Sequence, residues 1–147
     1  MARYLEDFTV GEVIDSPRRT ITETDVVTYA MLTGDWNPIH TDAVFAASTM
    51  FGERIAHGPL SMGIAFGLLL QRDILGETVL ALKRIGWELF HPVRFGDTIF
   101  ARMTTLEASP HPTAKDRGRV TMKVEIVNQA GTVASAGEAT IVFKRRP

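Results

Sequence analysis

The chain contains no cysteine, which excludes a disulfide framework, a thiol nucleophile and any Cys-ligated zinc. Neither charge is in excess. Lys+Arg 16 stand against Asp+Glu 17, a formal net charge of -1, and the longest basic run is Lys144-Arg145-Arg146, so no nucleic-acid partner is expected. Long apolar runs are missing too: residues 62–70 form the longest, far short of the ~20 that cross a bilayer. The acidic start, Met1 to Asp7, lacks a signal-peptide core, so no membrane association and a cytoplasmic location are expected. There is no GxGxxG and no GKS or GKT, and therefore no sign of nicotinamide or ATP.

What is present is ordinary for a folded protein. With 147 residues, 45% hydrophobic and 22% charged, the chain can bury roughly 68–70% of its unfolded surface in one core. Residues 1–147 are expected to form a single domain. Thr22 reads as a helix cap, because Glu23 and Asp25 come in the first turn and Val26, Val27, Ala30 and Met31 recur at helical spacing as far as Gly34. Pro38 drives Asn37 out of helical geometry, which predicts an ordered loop over 34–41; Asp42 should cap a short helix after it. Residues 60–75 are apolar except for Ser61, Gln71, Arg72 and Asp73. A helix there is hydrophobic around most of its circumference and is expected to be buried, with Gly63 and Gly67 admitting a close neighbour.

Beyond Gly76 the period falls to two. Residues 78–83 and 85–90 read as one long strand interrupted at Arg84, and 98–106 as a second. The clearest is 117–127, where Val120, Met122, Val124 and Ile126 alternate with Thr121, Lys123 and Glu125. Asn128 to Gly131 closes a hairpin onto 132–143, residues 109–116 with two prolines read as a loop, and a short strand near 12–14 can complete the sheet. Helices followed by long antiparallel strands define an α+β domain, and a curved sheet wrapped around the apolar helix hides that helix best.

Asp35 and His40 are the residues with catalytic potential, since an acid and an imidazole on a Pro-fixed loop can converge on one small molecule. Asn37 is suited to bonding its own loop backbone and holding that shape. Taken alone, the pair reads equally well as a capping aspartate and a surface histidine.

The surrounding text is more specific. Tyr29-Ala30-Met31-Leu32-Thr33-Gly34-Asp35-Trp36-Asn37-Pro38-Ile39-His40, with Phe45-Ala46-Ala47 shortly after it, resembles the hydratase-2 motif of the MaoC-like dehydratases, the (R)-specific enoyl-CoA hydratases. Ile55-Ala56-His57-Gly58, Pro92-Val93 and Gly96-Asp97 sit where that family has similar text, so the resemblance covers nearly the whole chain. It implies the hot-dog fold, a long antiparallel sheet wrapped around a central apolar helix. It further implies that Asp35 and His40 form a dyad holding a water that adds to the β-carbon of a trans-2-enoyl thioester, with Asp35 as base and His40 as acid, or the reverse. The partner implied is an acyl-CoA or acyl carrier protein thioester, no cofactor is implied, and the assembly implied is a homodimer whose sheets join edge to edge.

Hydration builds charge on the thioester oxygen, which must meet a hydrogen-bond donor. With Pro59 at the first helical position, the Gly58 N–H beside the positive helix terminus is the candidate. Asn37 and Phe66 are expected to bind substrate. Phe66 lies ~12 Å along the helix from Gly58, where its ring either floors an acyl tunnel sized for four- to six-carbon groups or points into the core. His57 is expected to hydrogen-bond backbone, His91 and His111 to occupy turns, and no His/Asp/Glu cluster has metal-ligand spacing. The same fold also carries thioesterases and non-catalytic acyl-CoA-binding proteins. Residues 60–70 hold no acidic residue of the kind thioesterases of this architecture place on the helix, and a binding module has no need of Asp35 and His40 together.

Overall fold

Local capping decides where the first helix starts and stops. In the computed structural model, which describes residues 2–147, helix α1 (Glu23–Thr33) begins where the Thr22 hydroxyl accepts the Asp25 N–H and the Asp25 carboxylate accepts the Thr22 N–H, a reciprocal arrangement that satisfies two otherwise orphaned donors. It ends at Gly34, whose φ of 77° is a left-handed conformation open to glycine without steric cost. Residues 34–41 are more regular than a loop, because Pro38 and Asn37 close a single turn, α2 (Pro38–Thr41), in which Asn37 Oδ1 accepts the Ile39 N–H at 3.1 Å. Asp42 then caps α3 (Ala43–Ala47) by accepting from the Val44 and Phe45 N–H groups, each at 2.9 Å.

The apolar helix is shorter than its composition predicts. Helix α4 (Gly58–Leu70) stops five residues before the expected Leu75. Asp73 takes a positive φ of 58°, tolerated best by a short polar side chain, and the reversal turns Ile74 back into the core, where it is fully buried. Burial is also incomplete: Ser61, Ala65, Leu68 and Leu69 are buried, while Pro59, Gly63, Gly67 and Leu70 form a more accessible stripe. One sheet covers one side of a helix, so the complete burial expected from an all-round apolar sequence needs something more than this chain's own strands.

Six antiparallel strands supply that one side. These are β1 (Val13–Asp15), β2 (Arg19–Thr20), β3 (Val79–Leu89), β4 (Thr98–Pro110), β5 (Arg117–Val127) and β6 (Val133–Lys144), in the order β1-β4-β5-β6-β3 with β2 also on β4. Helix α4 packs on β4 and β5, so the molecule is the hot-dog arrangement of the α+β class. In β5 the alternation read from the sequence is realised, with Val120, Met122, Val124 and Ile126 all at 0% exposure. The interruption expected at Arg84 is a register shift between Leu82 and Arg84. Strand β4 runs past Leu106 to Pro110 because a second shift between Thr105 and Glu107 resets the alternation, which removes Ser109 and Pro110 from the expected loop. Gly137 on β6 is required by close approach, since a Cβ there would collide with the Gly86 carbonyl oxygen and the Trp87 ring. Among the described residues, no helix is long and apolar enough to cross a membrane.

Candidate active site

The turn after α1 carries the acid, and backbone hydrogen bonds aim it. Asp35 Oδ1 accepts the Asn37 N–H at 3.3 Å, and Asn37 spends its own side-chain oxygen capping α2. The Asn37 side chain thus shapes the loop; it is exposed and is not among the residues lining the neighbouring cavity. His40, one turn on, is held from the other side. Its Nδ1 lies 2.8 Å from the Ile55 carbonyl oxygen, and that segment is itself fixed by a bridge from Ile55 to Arg94 and by the Ala56 N–H on the Val93 carbonyl. A carbonyl only accepts, so Nδ1 carries the proton and Nε2 keeps a free lone pair. Burial is the main cause that pushes the His40 pKa below the ordinary histidine value, with the neighbouring His57 acting in the same direction against the Ile55 carbonyl and Asp35. The desolvated ring favours its neutral form.

Asp35 and His40 converge, as the sequence leads one to expect, and a third group joins them. One ligand atom each from Asp35, His40 and His57 lie within 4.8 Å of one another. His57 does bond backbone, as expected, and the backbone it bonds is that of Asp35, with Nε2 3.0 Å from the carbonyl oxygen. Its ring stacks on His40 with centroids 3.8 Å apart and planes at 32°. The sequence contains no signal for this contact beyond the histidine's place just ahead of α4, because 17 positions separate the two rings. The expectation that no His/Asp/Glu cluster has ligand spacing is corrected to this extent. Two of the cluster's four ring nitrogens are already committed to backbone, His57 Nε2 to the Asp35 carbonyl and His40 Nδ1 to the Ile55 carbonyl.

Beside His40 opens a cavity of about 470 Å³ lined by Met50, Phe51, Gly58, Leu89, Phe90 and Ser135 among others. Gly58 is the first residue of α4 and Pro59 the second, one place later than expected, and the Gly58 N–H is among the first four of the helix, which have no intrahelical acceptor. The space a Cβ would take at Gly58 is filled by the Leu89 side chain. Phe66 does not reach this cavity. Eight residues on from Gly58 it has rotated about 80° round the helix at 3.6 residues per turn, and its ring packs 6.2 Å from that of Trp87 and against the core. The cavity wall comes instead from Leu89 and Phe90 at the end of β3 and from Ser135 on β6, residues distant in sequence from the loop.

The profile of the family described as "MaoC like domain" matches residues 7–130. The chain is 34% identical over 143 residues to the (R)-specific enoyl-CoA hydratase of Rhodospirillum rubrum, an alignment covering 97% of this chain and 93% of that one. It is 38% identical over 105 residues to Protein MaoC of Klebsiella aerogenes, covering 69% of this chain but only 30% of that longer protein. The crystal structure of the MaoC-like dehydratase from Rhodospirillum rubrum superposes with a TM-score of 0.90 at 28% identity over 99% of both chains. The match over residues 7–130 takes in the Asp35 and His40 turn, the start of α4 and the greater part of the sheet, and the chain is a member of the MaoC-like domain family.

Proposed function

We propose that this protein is an enoyl-CoA hydratase, adding water to a trans-2-enoyl-CoA to give the (R)-3-hydroxyacyl-CoA, or catalysing the reverse dehydration. The observation that carries this reading is the convergence of Asp35 on His40, which lines a cavity together with Gly58. The hydratase relative that matches over nearly its full length supports the thioester substrate. A water between the two side chains donates one hydrogen bond to the free Nε2 lone pair of His40 and the other to the Asp35 carboxylate. As its oxygen bonds to the β-carbon, Asp35 takes the proton and the π electrons move toward the thioester carbonyl, whose oxygen the Gly58 N–H stabilises. Asp35 then returns the proton to the α-carbon, so H and OH from one water are added and no other reagent is consumed. The acid role first expected for His40 does not suit a ring whose single proton is tied to the Ile55 carbonyl. The direct test monitors the loss of enoyl-thioester absorbance with crotonyl-, hexenoyl- and longer enoyl-CoAs and determines the chirality of the product. No turnover of any of them, or an (S) product, overturns the reading.

The pH dependence has a definite sign. His40 works as an acceptor, so activity is lost when it is protonated, and its lowered pKa places that loss below the ordinary histidine range. The acid limb of kcat/KM, which reports the free enzyme, is therefore expected to lie below pH ~6.5, with activity flat across neutral pH. Activity that falls instead as pH rises through the histidine range would show that His40 must be charged to work.

The same surfaces bear on assembly. Strand β3 closes one edge of the sheet and carries the exposed apolar residues Leu80, Leu82, Ile85 and Leu89, an open edge that soluble proteins normally cover. A two-fold homodimer joined along β3 covers it and places the cavity wall formed by Leu89 and Phe90 beside the interface. Light scattering should return about twice the 16.2 kDa of the chain; a fully active species of single-chain mass contradicts the dimer.

A further inference from the structure

His57 is a polar ring shut away from solvent. It is 1% exposed, precedes α4 as its N-cap residue without its side chain making a capping bond, and leaves Nδ1 buried with no hydrogen-bond partner among the described residues. An aromatic hydrocarbon would fill the volume without an orphaned nitrogen, and buried polar groups are ordinarily satisfied. What the imidazole adds is at its other edge. The Asp35 carbonyl accepts from Nε2 at 3.0 Å, while the ring lies between Tyr29, at 4.7 Å and 50°, and His40, at 3.8 Å and 32°. One side chain thus ties the end of α1, the Asp35 turn and the His40 turn to the start of α4.

Resting on the hydratase reading above, we propose that His57 is the positioning residue of this site: it pins the Asp35 backbone through Nε2–H and supports the His40 ring from below, fixing the gap in which the attacking water sits. The groups facing it are the Asp35 carboxylate, with Oδ2 3.9 Å from Nε2, the His40 imidazole and the Tyr29 ring. It takes no proton in the reaction, and its contribution is the separation of the two groups that do. Misplacing a catalytic group by about 1 Å costs on the order of 10²-fold in rate.

Two variants and one measurement on the unaltered protein test this. His57→Phe keeps a ring against His40 and Tyr29 and removes the donor; kcat is expected to fall about 10²-fold with KM unchanged. His57→Gln restores an N–H donor and is expected to recover a large part of kcat. A residue that only fills the core would change the thermal midpoint in both variants and leave kcat in place, which overturns the proposal. Nitrogen-15 NMR of the unaltered protein reads the same bond without any substitution: His57 is expected as the Nε2–H tautomer and His40 as the Nδ1–H tautomer. An Nδ1–H tautomer at His57 means that the bond to Asp35 is not made, and the proposal fails even if hydration is observed. If the tautomers are as expected and no enoyl-CoA is turned over, it is the hydratase reading that fails.

Discussion

Asp35→Asn and His40→Gln are each expected to lower the hydration rate by about 10²–10⁴-fold, the range over which a positioned proton-transfer group contributes. The amide at position 35 still accepts the Asn37 N–H that shapes the loop, and the glutamine at 40 can still donate to the Ile55 carbonyl, so both variants should fold. The loss is therefore expected in kcat with little change in thermal midpoint. In the proposed mechanism both side chains hold the same water, so the double variant should be scarcely worse than either single one, whereas independent groups would multiply. Steady-state rates with crotonyl-CoA, set beside circular dichroism of each variant, decide the matter. Activity within tenfold of the unaltered protein in either single variant removes that residue from the chemistry.

The largest expected effect on stability belongs to Phe143. Its side chain is fully buried on β6, with its ring 4.6 Å from that of Phe8 at 53°, and its strand neighbours are Val79 and Gly118. Gly118 cannot move in to fill a void, because it has no side chain and its backbone is held in the β4 to β6 ladder. Phe143→Ala should accordingly cost ~3–5 kcal/mol, the transfer of the ring plus a cavity that does not collapse. Against a total stability of about 5–15 kcal/mol for a typical domain, that is a large fraction. Urea unfolding should show a lower midpoint at unchanged slope. A cost below about 1 kcal/mol would show that Phe8 relaxes into the space.

The parts of the fold that are legible in the sequence are those decided within a few residues. Thr22 and Asp42 cap the helices they precede because a hydroxyl or carboxylate reaches N–H groups two or three positions away, and Gly34 ends α1 because of its own backbone freedom. Alternation marks β5 because that strand has neighbours on both sides, β4 and β6, and no register shift against β6 before Ile126. The same rule fails at Leu106, where a register shift on β4 reverses the parity of the residues beyond it. It fails again at the end of α4, where composition continues helical to Leu75 while the chain turns back to bury Ile74. In both places the deciding contact is with a strand or core far away in sequence.

The site divides along the same line. Asp35, Asn37 and His40 lie within six residues, so their spacing and the proline between them let an acid and an imidazole share a face, and the motif around them points to the chemistry they suit. Packing decided the rest. Phe66 swings to Trp87 rather than the cavity, because rotation about a helix and the position of a sheet jointly set where a ring can go. Leu89, Phe90 and Ser135 become cavity wall only when β3 and β6 pair. His57 comes under His40 and against the Asp35 carbonyl only when α4 docks on the sheet. Local hydrogen bonds and backbone preferences act over a few residues and are written in the order of the chain. The meeting of groups from α1, the motif turn and α4 requires the hydrophobic collapse of the whole domain, which acts on surfaces and not on neighbours.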